Sequence, residues 1–108
     1  MFSSYHAHVY YEEATRGAAE SIRSSLGSGF QVELGRWHDV PVGPHPQAMY
    51  QVAFAADQFD SIVPWLMEYH AGLSVLIHPN SGDDLGDHSE RALWLGPQLG
   101  LRLAMFQD

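Results

Sequence analysis

The alternation in Tyr5-His6-Ala7-His8-Val9-Tyr10 constrains this chain more than any other stretch. Read as a β-strand, it sends His6, His8 and Tyr10 to one face and Tyr5, Ala7 and Val9 to the other, because successive side chains of a strand point in opposite directions. One face can enter a core. The other carries two imidazoles at H-x-H spacing, able to share a metal ion or to divide acid-base work, since neutral imidazole is a common ligand and titrates near physiological pH. Paired histidines are also consistent with a solvated strand face, so their meaning depends on what the rest of the chain brings beside them.

The segments that follow alternate in type. Glu12-Glu13 opens a helical stretch running to about Leu26, with Ala18, Ile22 and Leu26 on one face and acidic residues suited to the positive end of the helix dipole. Gly27-Ser28-Gly29 is expected to close it. Residues 30–34 alternate again and predict a half-buried strand with Phe30, Val32 and Leu34 inward. Three prolines and a glycine make residues 36–46 a stiff extended loop carrying His38 and His45. A third strand is predicted over 49–54, with Tyr50, Val52 and Phe54 facing the core. Asp57 is expected to cap a second helix whose stripe is Phe59, Ile62, Val63, Leu66 and Met67, with Pro64 kinking it or delaying its start. Residues 73–78 predict a fourth strand with Leu73, Val75 and Ile77 inward and His78 outward. A polar loop over 79–91 and two short apolar pieces, 92–95 and Leu99-Leu101-Leu103, complete the chain.

This order, β-α-β-β-α-β with a short C-terminal extension, predicts an α+β, ferredoxin-like fold: an antiparallel sheet with two helices on one face. At 108 residues the chain is read as one domain, 1–108. The opposite sheet face would carry His6, His8, Tyr10, Gln31, Glu33, Met49, Gln51, Ser74, Leu76 and His78, a mixture expected to be covered by a dimer partner or by the C-terminal segment.

Composition narrows the partners. The formal net charge is −8, lysine is absent, and the five arginines are scattered, which argues against a nucleic-acid backbone as partner. Cysteine is also absent, so any metal must be held by imidazole, carboxylate or water. The first residues lack the pattern of a signal peptide, and no apolar run reaches membrane-spanning length, so a cytoplasmic protein without a membrane partner is expected.

Strand order decides which histidines can meet. In a ferredoxin-like sheet the first strand lies between the third and the fourth, and the fourth runs antiparallel to the first. His78 therefore approaches His6 on a strand roughly 4.8 Å away, and His8 completes a three-histidine facet. The loop after His78 brings His88 with several carboxylates, or is simply a solvated turn. His38 and His45 sit on a loop expected at the far end of the sheet, from which they act near His8 or reach a partner's site. His70, ending the second helix, is read as a partner of the helix dipole.

Taken together, Tyr5-His6-Ala7-His8-Val9-Tyr10, Pro41-Val42-Gly43-Pro44-His45-Pro46, Val63-Pro64-Trp65-Leu66-Met67, Leu76-Ile77-His78-Pro79-Asn80-Ser81-Gly82-Asp83-Asp84-Leu85, and Asp87-His88 followed by Ala92-Leu93-Trp94-Leu95-Gly96 resemble the DOPA dioxygenase-like family, small proteins related to extradiol-type ring-cleaving enzymes. The resemblance implies an aromatic ring-cleaving dioxygenase that opens a catechol such as DOPA with dioxygen at a non-haem iron(II) site, zinc being a possible substitute. It implies His6, His8 and His78 as ligands, His45 and His88 as acid-base groups, and His38 behind them. The usual facial triad has a carboxylate, which Asp83, Asp84 or Asp87 would supply more easily than Glu33, two strands from His6. Arg36 or Arg91 would bind the carboxylate of an amino-acid-like catechol, or each is simply a solvated surface charge, and Tyr10 would join them as a substrate contact. A homodimer is expected. The rival readings are a non-catalytic metal- or small-molecule-binding dimeric module on the same sheet face and a structural dimer with histidines at its interface.

Overall fold

A computed structural model describes residues 1–106. Strand β1 (Ser4–Tyr11) is the centre of the sheet, flanked on one side by β3 (Ala48–Ala55) and on the other by β4 (Val75–Pro79). The short β2 (Glu33–Leu34) pairs with β3, and β5 (Leu93–Leu95) pairs with β4, giving the order β2-β3-β1-β4-β5 with every pairing antiparallel. Helices α1 (Arg16–Gly29) and α2 (Phe59–Tyr69) supply the apolar stripes that cover one face. This is the expected ferredoxin-like α+β arrangement, extended by a fifth strand from the first apolar piece of the C-terminal extension.

The alternation in β1 sorts its side chains as predicted. Ala7, Val9 and Tyr11 are buried with Tyr50, Val52, Phe54, Val75 and Ile77 beneath Ala19, Ile22 and Leu26 of α1 and Ile62, Val63 and Leu66 of α2. The Tyr50 hydroxyl donates to the Ala19 carbonyl at 2.8 Å, so the polar end of a buried ring ties α1 to the sheet. Four local expectations change. Helix α1 continues through Gly27-Ser28-Gly29 and stops only at Phe30, which is extended and whose N–H closes the last turn on Leu26. Residues 30–32 do not join the sheet, because the Gln31 N–H goes to the Gln58 side chain and only Glu33 and Leu34 reach β3. Asp57 does not cap α2, which follows a 3-10 turn at Ala56–Gln58 and runs on through Pro64. Met67 is 60% exposed, since at about 100° per residue it lies at the outer edge of the stripe set by Phe59, Ile62, Val63 and Leu66.

The second face is covered at one end by the chain itself. Tyr10, Met49 and Leu76 form a small separate core with Val42, Ala92, Trp94, Leu99 and Leu101. The Arg102 N–H donates to the Pro44 carbonyl at 2.8 Å, fastening the C-terminal segment to the proline-rich loop. At the other end of this face the histidines remain around an open cavity. Among the described residues no helix is long and apolar enough to cross a membrane.

Candidate functional site

Register places the first two histidines. His6 lies directly opposite His78 across β1 and β4, and His8 opposite Leu76, so both β1 imidazoles and His78 leave the same face. One ligand nitrogen from each of His6, His8 and His78 lies within 4.8 Å of the other two. The Nε2 atoms of His8 and His78 are 3.1 Å apart. Two nitrogens bound at right angles to one ion at about 2.1 Å would be about 3 Å apart, so this pair already has the spacing of adjacent ligands.

Protonation follows from the hydrogen bonds. His78 Nδ1 is 2.9 Å from the Pro79 carbonyl, which can only accept, so the proton is on Nδ1 and Nε2 keeps its lone pair. Among the described residues His8 Nδ1 is sealed from solvent without a partner, an orphan that a bonding role at Nε2 would offset. Burial moves the His8 imidazole well below its ordinary value, reinforced by His45, His78, His6 and His88. Burial takes His78 down to about 4 against the opposing pull of the Pro79 carbonyl, with His88 and His6 adding to the fall. His6 is lowered too, by burial and by His88. Neutral imidazoles with free lone pairs at neutral pH are what a cation of the zinc, iron, copper or nickel type requires, and these three residues fit one.

His45 belongs to the same cluster, which the strand order alone did not foresee. Gly43, at φ +54°, makes a tight turn closed by the His45 N–H on the Val42 carbonyl, and the loop folds back across the sheet rather than pointing away from it. His45 is 4% exposed, its ring centroid is 4.3 Å from that of His8, and its Nδ1 is 2.6 Å from the Tyr10 hydroxyl. Burial takes it down to about 4, with His88, His78 and His38 contributing in that order. His88 closes the other side: its centroid is 4.2 Å from that of His78, Phe106 stacks behind it at 4.7 Å, and its Nδ1 is 2.8 Å from the Asp84 carbonyl. Its Nε2 therefore also keeps a lone pair.

The remaining candidates stand apart from this group. His38 forms a backbone bridge to Met49 and accepts at its carbonyl from the Tyr11 hydroxyl; among the described residues its ring has no hydrogen bond to the cluster. Arg36 is exposed and outside the cavity around the histidines. The Arg91 guanidinium is engaged by Asp83 and Asp87, each at 2.9 Å. Tyr10 is 1% exposed, stacked on Trp94 and hydrogen-bonded to His45, and it is not among the residues that line this cavity. Asp83 and Asp87 are tied to Arg91, leaving Asp84 on the cavity wall, and among the described residues the ligand group contains no carboxylate. Glu33, Ala53 and His6 lie in one row across the sheet, which keeps Glu33 two strands from the cluster. His70 donates to the Leu73 carbonyl and so braces a turn rather than the end of α2.

The cavity bounded by His6, His8, His45, His78 and His88 has a volume of about 250 Å³. Gln51, Asn80 and Phe106 also line it, and none of them stood out in the sequence as a site residue. Alternation placed Gln51 on this face, whereas Phe106 arrives only through the fold of the C-terminal segment.

Comparison with known proteins gives this geometry a context. The model of the Dopa 4,5-dioxygenase family matches residues 5–105. The chain is 32% identical over 109 residues to a DOPA 4,5-dioxygenase of Amanita muscaria, covering 93% of this chain and 48% of that protein. It is 33% identical over 114 residues to an uncharacterized 21.2 kDa protein of Botryotinia fuckeliana, covering 94% of this chain and 62% of that protein. The chain thus spans about half to three-fifths of the length of these curated relatives. A crystal structure of a candidate dioxygenase from Nostoc punctiforme is similar with a TM-score of 0.94 and 50% identity, covering 97% of this chain and 90% of that one. With its match over nearly all its length and a histidine group able to hold a metal ion, the chain belongs to the Dopa 4,5-dioxygenase family.

Proposed function

We propose that this protein is an extradiol-type dioxygenase that opens a catechol ring, with DOPA the first substrate to test, at an iron(II) ion held by His6, His8 and His78. The observation that carries this reading is the convergence of three neutral imidazoles, two of them with Nε2 atoms 3.1 Å apart, on one wall of a cavity. Iron(II) would supply Lewis acidity toward the catechol oxygens and the redox activity dioxygen requires; zinc would fill the same ligands without the redox chemistry. Both atoms of dioxygen end in the ring-opened product, so no external reductant is needed.

The chain's own residues account for proton handling and enclosure. His88, fixed through Nδ1 on Asp84, directs a lone pair at Nε2 and can take a proton from a catechol hydroxyl. Phe106 backs that ring on one side. His45 supplies a second imidazole on the opposite side of His8. Anaerobic loading with iron(II), followed by DOPA or another catechol and then air, tests the reading: oxygen uptake with a yellow semialdehyde chromophore is expected. Iron-loaded protein that consumes no oxygen across a catechol panel would point instead to the metal-binding module.

A further inference from the structure

We infer that Tyr10 is a positioning residue that fixes His45 with its proton on Nε2, so that His45 offers the cavity a hydrogen-bond donor while His88 offers it a base. The inference deepens the dioxygenase reading where it assigns a use to that donor, but the tautomer itself rests on hydrogen bonding alone.

The Tyr10 hydroxyl lies 2.6 Å from His45 Nδ1, and both residues are buried. Only two arrangements fit a neutral ring. If Nδ1 donated to the phenol oxygen, the phenolic proton would need a second acceptor, and among the described residues Tyr10 has none besides His45. A buried hydroxyl left without an acceptor is costly, so the phenol donates and Nδ1 accepts. A neutral imidazole that accepts at Nδ1 carries its proton at Nε2. Among the described residues His8 Nδ1 is an orphan sealed from solvent, but His45 has no such sealed atom: its Nε2 is left to the cavity that the ring lines.

The contrast with its neighbours is chemical. His78 and His88 each donate through Nδ1 to a backbone carbonyl and keep a lone pair at Nε2. His45 alone among these three is held by a hydroxyl, and its tautomer is reversed. Two imidazoles that flank the same cavity are thereby set for opposite tasks: His88 can remove a proton, and His45 can only hydrogen-bond to oxygen on which negative charge gathers. No proton leaves His45 in this role, so Tyr10 need not ionise. Stacking on Trp94 and packing in the small second core keep the phenol from turning away.

The ring nitrogens can be read directly. In ¹⁵N NMR of the full chain, metal-free and zinc-loaded, His45 should show an unprotonated Nδ1 and a protonated Nε2, and His88 the reverse. A protonated Nδ1 on His45 would overturn the assignment. Tyr10→Phe keeps the stacking ring and removes the donor; it should mix the His45 tautomers and lower kcat at least tenfold, with KM and iron content within twofold. Unchanged tautomer and turnover in Tyr10→Phe would reduce Tyr10 to packing and overturn its positioning role. Glutamine can replace an Nε2 donor but not a base, so His45→Gln should retain activity within about tenfold of wild type while His45→Ala loses about a hundredfold. A glutamine variant no more active than the alanine variant would overturn the donor role. If wild-type protein opens no catechol, the dioxygenase reading fails and the nitrogen shifts still decide the tautomer.

Discussion

His8 and His78 face each other across two antiparallel strands with their Nε2 atoms 3.1 Å apart. Either one proton lies between them or one cation does, and the lone pair left on His78 by its bond to Pro79 admits both. His8→Ala and His78→Ala are each expected to reduce bound iron at least tenfold after anaerobic loading and desalting. His38→Ala, outside the cluster, should leave it unchanged. Metal analysis beside a circular dichroism spectrum of each variant checks this, and full occupancy in His78→Ala would remove that residue from the site.

Stability of the metal-free protein should fall on mild acidification. In the unfolded chain His45 and His78 titrate near their ordinary value of 6.5, whereas burial takes each down to about 4 in the folded protein. Between these values the unfolded chain binds more protons, so stability is fully present above about pH 6.5 and is lost as pH falls toward 4. His8 acts in the same direction. Urea midpoints at pH 7 should exceed those at pH 5, and a flat profile would show that these rings are not held neutral.

Arg91 is expected to matter for stability before it matters for substrate. Burial alone would raise the Asp87 carboxyl, but the backbone N–H and hydroxyl of Ser81 together with Arg91 outweigh it and hold it below the ordinary range. Asp87 is 2% exposed, so Arg91→Ala leaves a buried carboxylate short of its cationic partner and should lower the urea midpoint. The loop carrying His88 should loosen with it. A raised KM at unchanged stability would instead indicate that Arg91 holds the substrate.

Gly96 closes β5 with φ +68°, and a Cβ there would run into the Leu73 carbonyl oxygen. Gly96→Ala should therefore destabilise the protein by about 2 kcal/mol. Because Ser74 donates to the neighbouring Pro97 carbonyl, the change should also disturb the segment that covers Tyr10 and Leu76. A thermal midpoint equal to that of the wild type would show that this turn relaxes freely.

The strands and helices that build the sheet were readable because each repeats its own period. Two-residue alternation assigned Tyr5, Ala7 and Val9 of β1 and Tyr50, Val52 and Phe54 of β3 to the core, and the spacing of Phe59, Ile62, Val63 and Leu66 set the inner face of α2. Edges were less readable. Residues 30–32 have the alternation of a strand, yet Gln31 found a side-chain partner in Gln58, a competition no periodicity records. The capping carboxylate expected from Asp57 was displaced in the same way, by a 3-10 turn.

By itself the sequence determined the ferredoxin-like order and the meeting of His6, His8 and His78, because register follows from alternation and from which strands must be neighbours. Tertiary structure decided the rest of the site. His45 reaches His8 through a glycine turn that doubles the proline-rich loop back, and Phe106 arrives behind His88 on a C-terminal segment with no strong period. It also decided what each imidazole can do. Residue type gives two ring nitrogens, but whether a carbonyl or a hydroxyl stands beside Nδ1 fixes which nitrogen carries the proton, and that neighbour comes only from the packed chain.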